Sequence, residues 1–129
     1  MAGMAARYAG GSDGILLVED DDVIRDALGE ILRAEGYEVA SVNHGADALE
    51  RIQAGFHPSL IVTDLMMPVM DGWQLLAALN KRPAAERPPI LVISAILDDV
   101  PHPVGATVAM SQPIVLDRLL HEVQLLTGT

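Results

Sequence analysis

The sequence predicts a three-layer α/β sandwich, a doubly wound parallel sheet with helices on both faces. Short apolar runs alternate with amphipathic stretches of helical spacing along the chain. The apolar runs are continuous, as strands buried on both faces require. Right-handed crossovers between successive parallel strands then place the helices in two outer layers. At 129 residues, half of them hydrophobic, the chain suits one compact domain.

Ile15–Val18 (ILLV) is apolar and bounded by Gly14 and acidic residues, so it reads as the first strand. Val23, Ala27, Leu28, Ile31 and Leu32 then recur at helical spacing, with Gly36 as the stop. Residues 38–42 read as a second strand. Residues 46–54 carry Ala48, Leu49 and Ile52 on one face and end at Gly55, a short helix. Residues 59–63 form the third strand and run into Asp64. Asp71-Gly72 opens a helix with Trp73, Leu75, Leu76 and Leu79, stopped by Pro83. Residues 89–95 (PILVISA) are the fourth strand and residues 106–110 a weak fifth. Residues 115–126 are the last helix, with Leu116, Leu119, Leu120, Val123 and Leu126 on one face. Residues 1–12, with a Gly-Gly-Ser run, are expected to be a flexible tail, and residues 13–129 the domain.

The formal net charge is −10, which argues against a nucleic-acid surface. There is no cysteine, hence no disulfide or thiolate metal site. No apolar run approaches the ~20 residues that span a bilayer, and no segment suits a secretory signal. The expectation is a cytoplasmic protein with neither a nucleic-acid nor a membrane partner.

In open parallel sheets the reactive crevice lies at the carboxyl ends of the strands. The first strand delivers Glu19, Asp20 and Asp21 there. The third delivers Asp64, the fourth Ser94, and the fifth Ser111 and Gln112. Carboxylates meeting at one edge repel unless a cation intervenes, and Mg²⁺ favours such oxygen ligands. Alone, the run EDDD fits helix capping better, at ~0.3–1 kcal/mol, and Asp21 and Asp22 are assigned to it. The stretch DLMMPVMDG shifts the balance. Pro68 fixes a turn, Asp71-Gly72 shapes the next helix start, and Asp64 is left at a strand end as a carboxylate able to attack a phosphoryl donor.

With ILLVEDD at 15–21, TDLMMPVMDG at 63–72, ILVISA at 90–95, GA at 105–106 and QP at 112–113, the chain resembles a two-component response regulator receiver domain. The resemblance covers roughly residues 14–126. It implies a flavodoxin-like sheet of order 2-1-3-4-5, a phosphoacceptor at Asp64, and Mg²⁺ held by Glu19, Asp20, Asp64 and the backbone carbonyl of Met66. It implies phosphoryl contact by Ser94. Pro113 matches a proline often preceded by a cis peptide bond. A histidine kinase or phosphotransfer protein would be the donor, an unidentified protein the downstream target, and a homodimer a further possibility.

Three departures stand out. The family places lysine where Gln112 stands, and glutamine donates a hydrogen bond but no charge. A unit charge at ~4 Å is worth ~4 kcal/mol at an effective dielectric near 20. Lys81, the sole lysine, falls ~15 Å along the third helix, at the wrong end. Arg25, one turn into the first helix, has the alternative of swinging over the site, but the expectation is an exposed surface residue. The second departure is Ala109, which occupies the position of a switch aromatic. Third, residues 96–104 (ILDDVPHPV) are too short and proline-rich for the usual fourth helix, which is expected to be shortened or missing. Asp98 and Asp99 read as a solvated turn near the pocket mouth. The four histidines read as loop or surface residues, and Met66, Met67 and Met70 as packing groups.

The functional expectation is a single-domain receiver in a phosphorelay that accepts phosphate on Asp64 and signals by protein contact. It would not be an enzyme beyond its own phosphorylation and dephosphorylation. The alternatives are a binding module that works without phosphorylation and, ranked below it, a Mg²⁺-dependent phosphohydrolase.

Overall fold

In a computed structural model of the chain, residues 13–67, 69–97 and 100–128 are described. The expected tail at 1–12, Pro68, and Asp98 and Asp99 lie outside them.

Five parallel strands form one sheet: β1 (Ile15–Val18), β2 (Val39–Val42), β3 (Leu60–Thr63), β4 (Ile90–Ser94) and β5 (Val108–Ser111). Their order is β2-β1-β3-β4-β5, as expected. Four α-helices stand among the described residues: α1 (Asp22–Ala34), α2 (Gly45–Gln53), α3 (Gly72–Asn80) and α4 (Leu116–Thr127). A 3₁₀ turn, Ala84–Glu86, follows α3.

Alternation along each strand divides the core between two faces. Ile15 and Leu17 of β1 turn to one side, with Leu60 and Val62, where Leu28 and Leu32 of α1 and Leu119 and Val123 of α4 cover them. Leu16 and Val18 turn to the other, with Ile61 and Val92, under Ala48 and Ile52 of α2 and Leu75, Leu76 and Leu79 of α3. Each buried Leu, Ile or Val among these contributes about 1.5–3 kcal/mol.

The helix starts follow the sequence. Asp21 caps α1 by accepting from the Ile24 amide (3.0 Å). Asp71 and Gln74 form a reciprocal capping box on α3. Gly36, at φ +95°, lies just past the end of α1.

No α-helix stands among the described residues between β4 and β5. Ile96, Leu97 and Ala106 pack against the core directly, and Pro103 is buried. Asn80, the last residue of α3, donates through Nδ2 to the Val104 carbonyl (3.1 Å). Gly105 sits at φ +96° against that same Asn80 side chain, so any larger residue would collide there. The Ala106 amide turns back to the Pro103 carbonyl (3.1 Å). That turn is why β5 begins at Val108 rather than at the expected residue 106.

Candidate functional site

Register places the strand-end residues side by side. Val18 pairs with Val42 on one side and Thr63 on the other, so Glu19 and Asp64 each emerge one residue past a paired position. The Glu19 amide donates to the Val42 carbonyl (3.1 Å), prolonging β1 by one residue. Thr63 lies level with Val92, and Ser94 pairs with Ser111.

Glu19 is buried and Asp20, its neighbour, is exposed. The Glu19 carboxylate accepts from the Asp21 amide through Oε2 (3.0 Å). Burial pushes its pKa up to about 7; the charges of Asp64 and Asp20 and a hydrogen bond with Asp20 add to the rise, and the Asp21 amide opposes it. A buried carboxylate facing two others is a site that a hard cation would relieve, and every donor present is oxygen. As they stand, no three His, Cys, Asp or Glu side chains among the described residues converge closely enough to cage a metal alone. Backbone carbonyl and water oxygens would have to complete an octahedron.

Asp64 is half-buried and fixed by its own loop. Its Oδ1 accepts from the amides of Leu65 (2.6 Å) and Met66 (3.2 Å). Oδ2 remains for chemistry. The Thr63 hydroxyl donates to the Asp64 carbonyl (2.9 Å), and the Gly72 amide closes the loop on the Leu65 carbonyl (2.9 Å). A Cβ on Gly72 would strike the Asp64 carbonyl oxygen and approach the Leu65 Cα to 2.7 Å. Glycine is required by that close approach. Met66 is exposed, whereas Met67 and Met70 pack inward. Val69 takes a positive φ of 67° inside this loop, which costs a β-branched residue energy.

On the other half of the sheet, Ser94 is fully buried, its Oγ accepting from the Ile96 amide at 3.5 Å. Gln112 follows β5, and its amide donates to the Ser94 carbonyl (3.3 Å). The Gln112–Pro113 bond is cis. Ala109 sits half-buried on β5, level with Val92 and packed on the α2–α3 side of the core.

Three placements differ from or refine the expectations. Arg25 is not a free surface arginine: its side chain is 16% exposed. It pairs with Asp22 through Nη2 and donates through Nη1 to the Glu19 carbonyl (3.0 Å). Its position one turn inside α1 was the only sequence signal. His44 caps α2, its Nδ1 accepting from the Asp47 amide (3.4 Å). Lys81 is exposed and caps the far end of α3, remote from the carboxylates.

Two hollows deserve comparison with this edge. An apolar groove of about 270 Å³ opens beside it between α1 and α4, lined by Val23, Ile24, Ala27, Ile31, Ile114 and Leu116 among others. A larger hollow, about 880 Å³, lies beside Gly14, Tyr37, Glu38, Ser59 and His121, reaching the amino ends of the strands. Its Ser59 hydroxyl is turned to the Gly14 carbonyl (3.2 Å), so the carboxyl edge remains the candidate.

The model of the response regulator receiver domain matches residues 15–123. The response regulator MprA of Mycobacterium leprae is 36% identical over 117 residues, 87% of this chain and 50% of that protein. The receiver domain of sensor histidine kinase PA1611 from Pseudomonas aeruginosa superposes with a TM-score of 0.79 at 26% identity, over 93% of this chain and 99% of that one. That structure holds a magnesium ion in its active-site cleft. The response regulator TrrA of Thermotoga maritima, solved with Mg²⁺ and BeF, gives a TM-score of 0.75 at 27% identity over 87% and 96%. The chain spans half or less of the transcriptional regulators and MprA proteins it matches.

Proposed function

The chain belongs to the response regulator receiver domain family, a family of signalling domains, and on that premise we propose that Asp64 is its phosphoacceptor. The observation that carries this reading is the pairing of a buried Glu19 with a loop-braced Asp64 at one strand edge. The donor is a phosphohistidine on a histidine kinase or phosphotransfer protein. Asp64 Oδ2 attacks phosphorus and a new O–P bond forms. The N–P bond breaks, its electron pair leaves with the imidazole nitrogen, and that nitrogen takes up a proton. The Leu65 and Met66 amides hold the carboxylate in place for attack.

A bound Mg²⁺ supplies positive charge opposite the phosphoryl oxygens. Glu19, Asp20, Asp64 and the Met66 carbonyl would hold it. Ser94, at the end of β4, would reach the phosphoryl group once its buried hydroxyl turns from the Ile96 amide. Output is by protein contact.

Incubation with Mg²⁺ and a small phosphodonor tests this, with mass and Trp73 fluorescence as readouts. Trp73 is half-buried next to Gly72, hence next to the Asp64 loop. A phospho-adduct present in the wild type and lost in Asp64→Ala is expected. Absence of any adduct or spectral change at high donor concentration would favour a second reading, a binding module that works without phosphorylation. Gln112 and Ala109 in the switch positions are the observations behind that alternative.

A further inference from the structure

We infer that Arg25 supplies, from the first turn of α1, the positive charge that Gln112 withholds at the end of β5. This assignment rests on the phosphoacceptor reading above.

An arginine in the first turn of a helix opposes the macrodipole. Arg25 nevertheless folds back toward the helix start and buries most of its length. An exposed i,i+3 pair with Asp22 is a weak interaction and would account for Nη2 alone. It accounts neither for the burial nor for the bond from Nη1 to the Glu19 carbonyl.

That carbonyl belongs to the residue whose carboxylate enters the site. The β1–α1 loop is therefore gripped twice: its backbone by the guanidinium, and the Glu19 side chain by the Asp21 amide. The forked guanidinium suits this task, since one nitrogen binds the loop while the other meets a carboxylate. Three of the other cations lie elsewhere. Arg33 donates to the Val39 carbonyl, Arg82 pairs with Glu86, and Lys81 is at the distant end of α3. The guanidinium so placed lies against the loop that carries Glu19, Asp20, Asp21 and Asp22. Arg25 is a positioning residue and a fixed counter-charge; it does not touch the reacting atoms.

The test compares the wild type, Arg25→Ala, Arg25→Lys, Gln112→Lys and the double variant Arg25→Ala/Gln112→Lys. Each is titrated with Mg²⁺ and then beryllofluoride, following Trp73 fluorescence. Amide exchange at Asp21 is measured in the metal-free proteins, and thermal melting checks that each folds. Arg25→Ala is expected to weaken beryllofluoride binding about tenfold, and only about threefold or less when Gln112→Lys supplies a second cation. Arg25→Lys is expected to recover most of the loss, and the Asp21 amide to exchange faster only in the alanine variants. Equal losses in both backgrounds would overturn the assignment by showing a clamp with no charge role, as would no loss at all. A wild type blind to both Mg²⁺ and beryllofluoride would overturn the phosphoacceptor reading and this assignment with it.

Discussion

The two halves of the sheet end differently. At the ends of β1 and β3, carboxylates crowd together and the backbone grips them: loop amides on Asp64, the Asp21 amide on Glu19, Gly72 pressed on the Asp64 carbonyl. At the ends of β4 and β5 the groups are neutral. Ser94 is sealed, Gln112 carries no charge, Ala109 is small, and a turn latched by Asn80 joins the strands. On the proposed reading, the first half holds the groups that would accept a phosphoryl group, and the second lacks the cation and the aromatic that the family resemblance leads one to expect.

The largest effect is expected where the accepting half is most tightly packed. Gly72→Ala forces a Cβ into the Asp64 carbonyl, and about 3 kcal/mol of stability should be lost. Chemical denaturation measures it, and a cost below ~0.5 kcal/mol would mean the loop is not braced there.

Next is the charge crowding. Glu19 titrates near 7 in the folded chain against 4.5 when unfolded, so the folded state binds the extra proton. Its contribution to stability is complete below pH ~4.5 and is lost as pH rises through ~7. Glu19→Gln keeps the acceptor for the Asp21 amide without the charge. The metal-free variant should be more stable than wild type above pH ~7, by ~2 kcal/mol, and the gap should close toward pH ~4.5. A gap independent of pH would show that the carboxylates do not interact.

On the other half, Gln112→Lys should raise the rate of phosphorylation by small donors about tenfold, a barrier change of ~1.4 kcal/mol. An unchanged rate would place the Gln112 side chain away from Asp64. The smallest effect belongs to the latch. Asn80→Ala should cost ~1 kcal/mol and speed amide exchange along β5, leaving Mg²⁺ binding untouched.

The strands and the helix starts could be read from the chain because they depend on local patterns: apolar runs, periodicity and capping residues such as Asp21 and Asp71; the strand order came with the family resemblance. The strand-end carboxylates followed from that frame and from the DLMMPVMDG motif. That no α-helix stands among the described residues between β4 and β5 was foreshadowed by simple shortage of length. What could not be read depends on contacts across the chain. Asn80 and Val104 are 24 residues apart, and nothing local announces their bond. Glu19 and Asp20 look equivalent in sequence, yet only one is buried, because the Glu19 amide continues the ladder to Val42. Arg25 was misjudged because helical position fixes the direction of a Cβ, not the reach of a long flexible side chain.

The acidic rim also acts at a distance. With a chain charge of −10 and carboxylates gathered at one edge, the domain presents a repulsive field to any small anion approaching Asp64. Added salt should therefore speed phosphorylation by a dianionic small donor, since screening sets in beyond ~8 Å at physiological ionic strength. A donor protein with a basic rim meets the opposite sign: salt should slow its encounter. On the proposed reading, the same crowded edge would sort arrivals by charge, admitting a donor with a basic rim more readily than free phosphate esters.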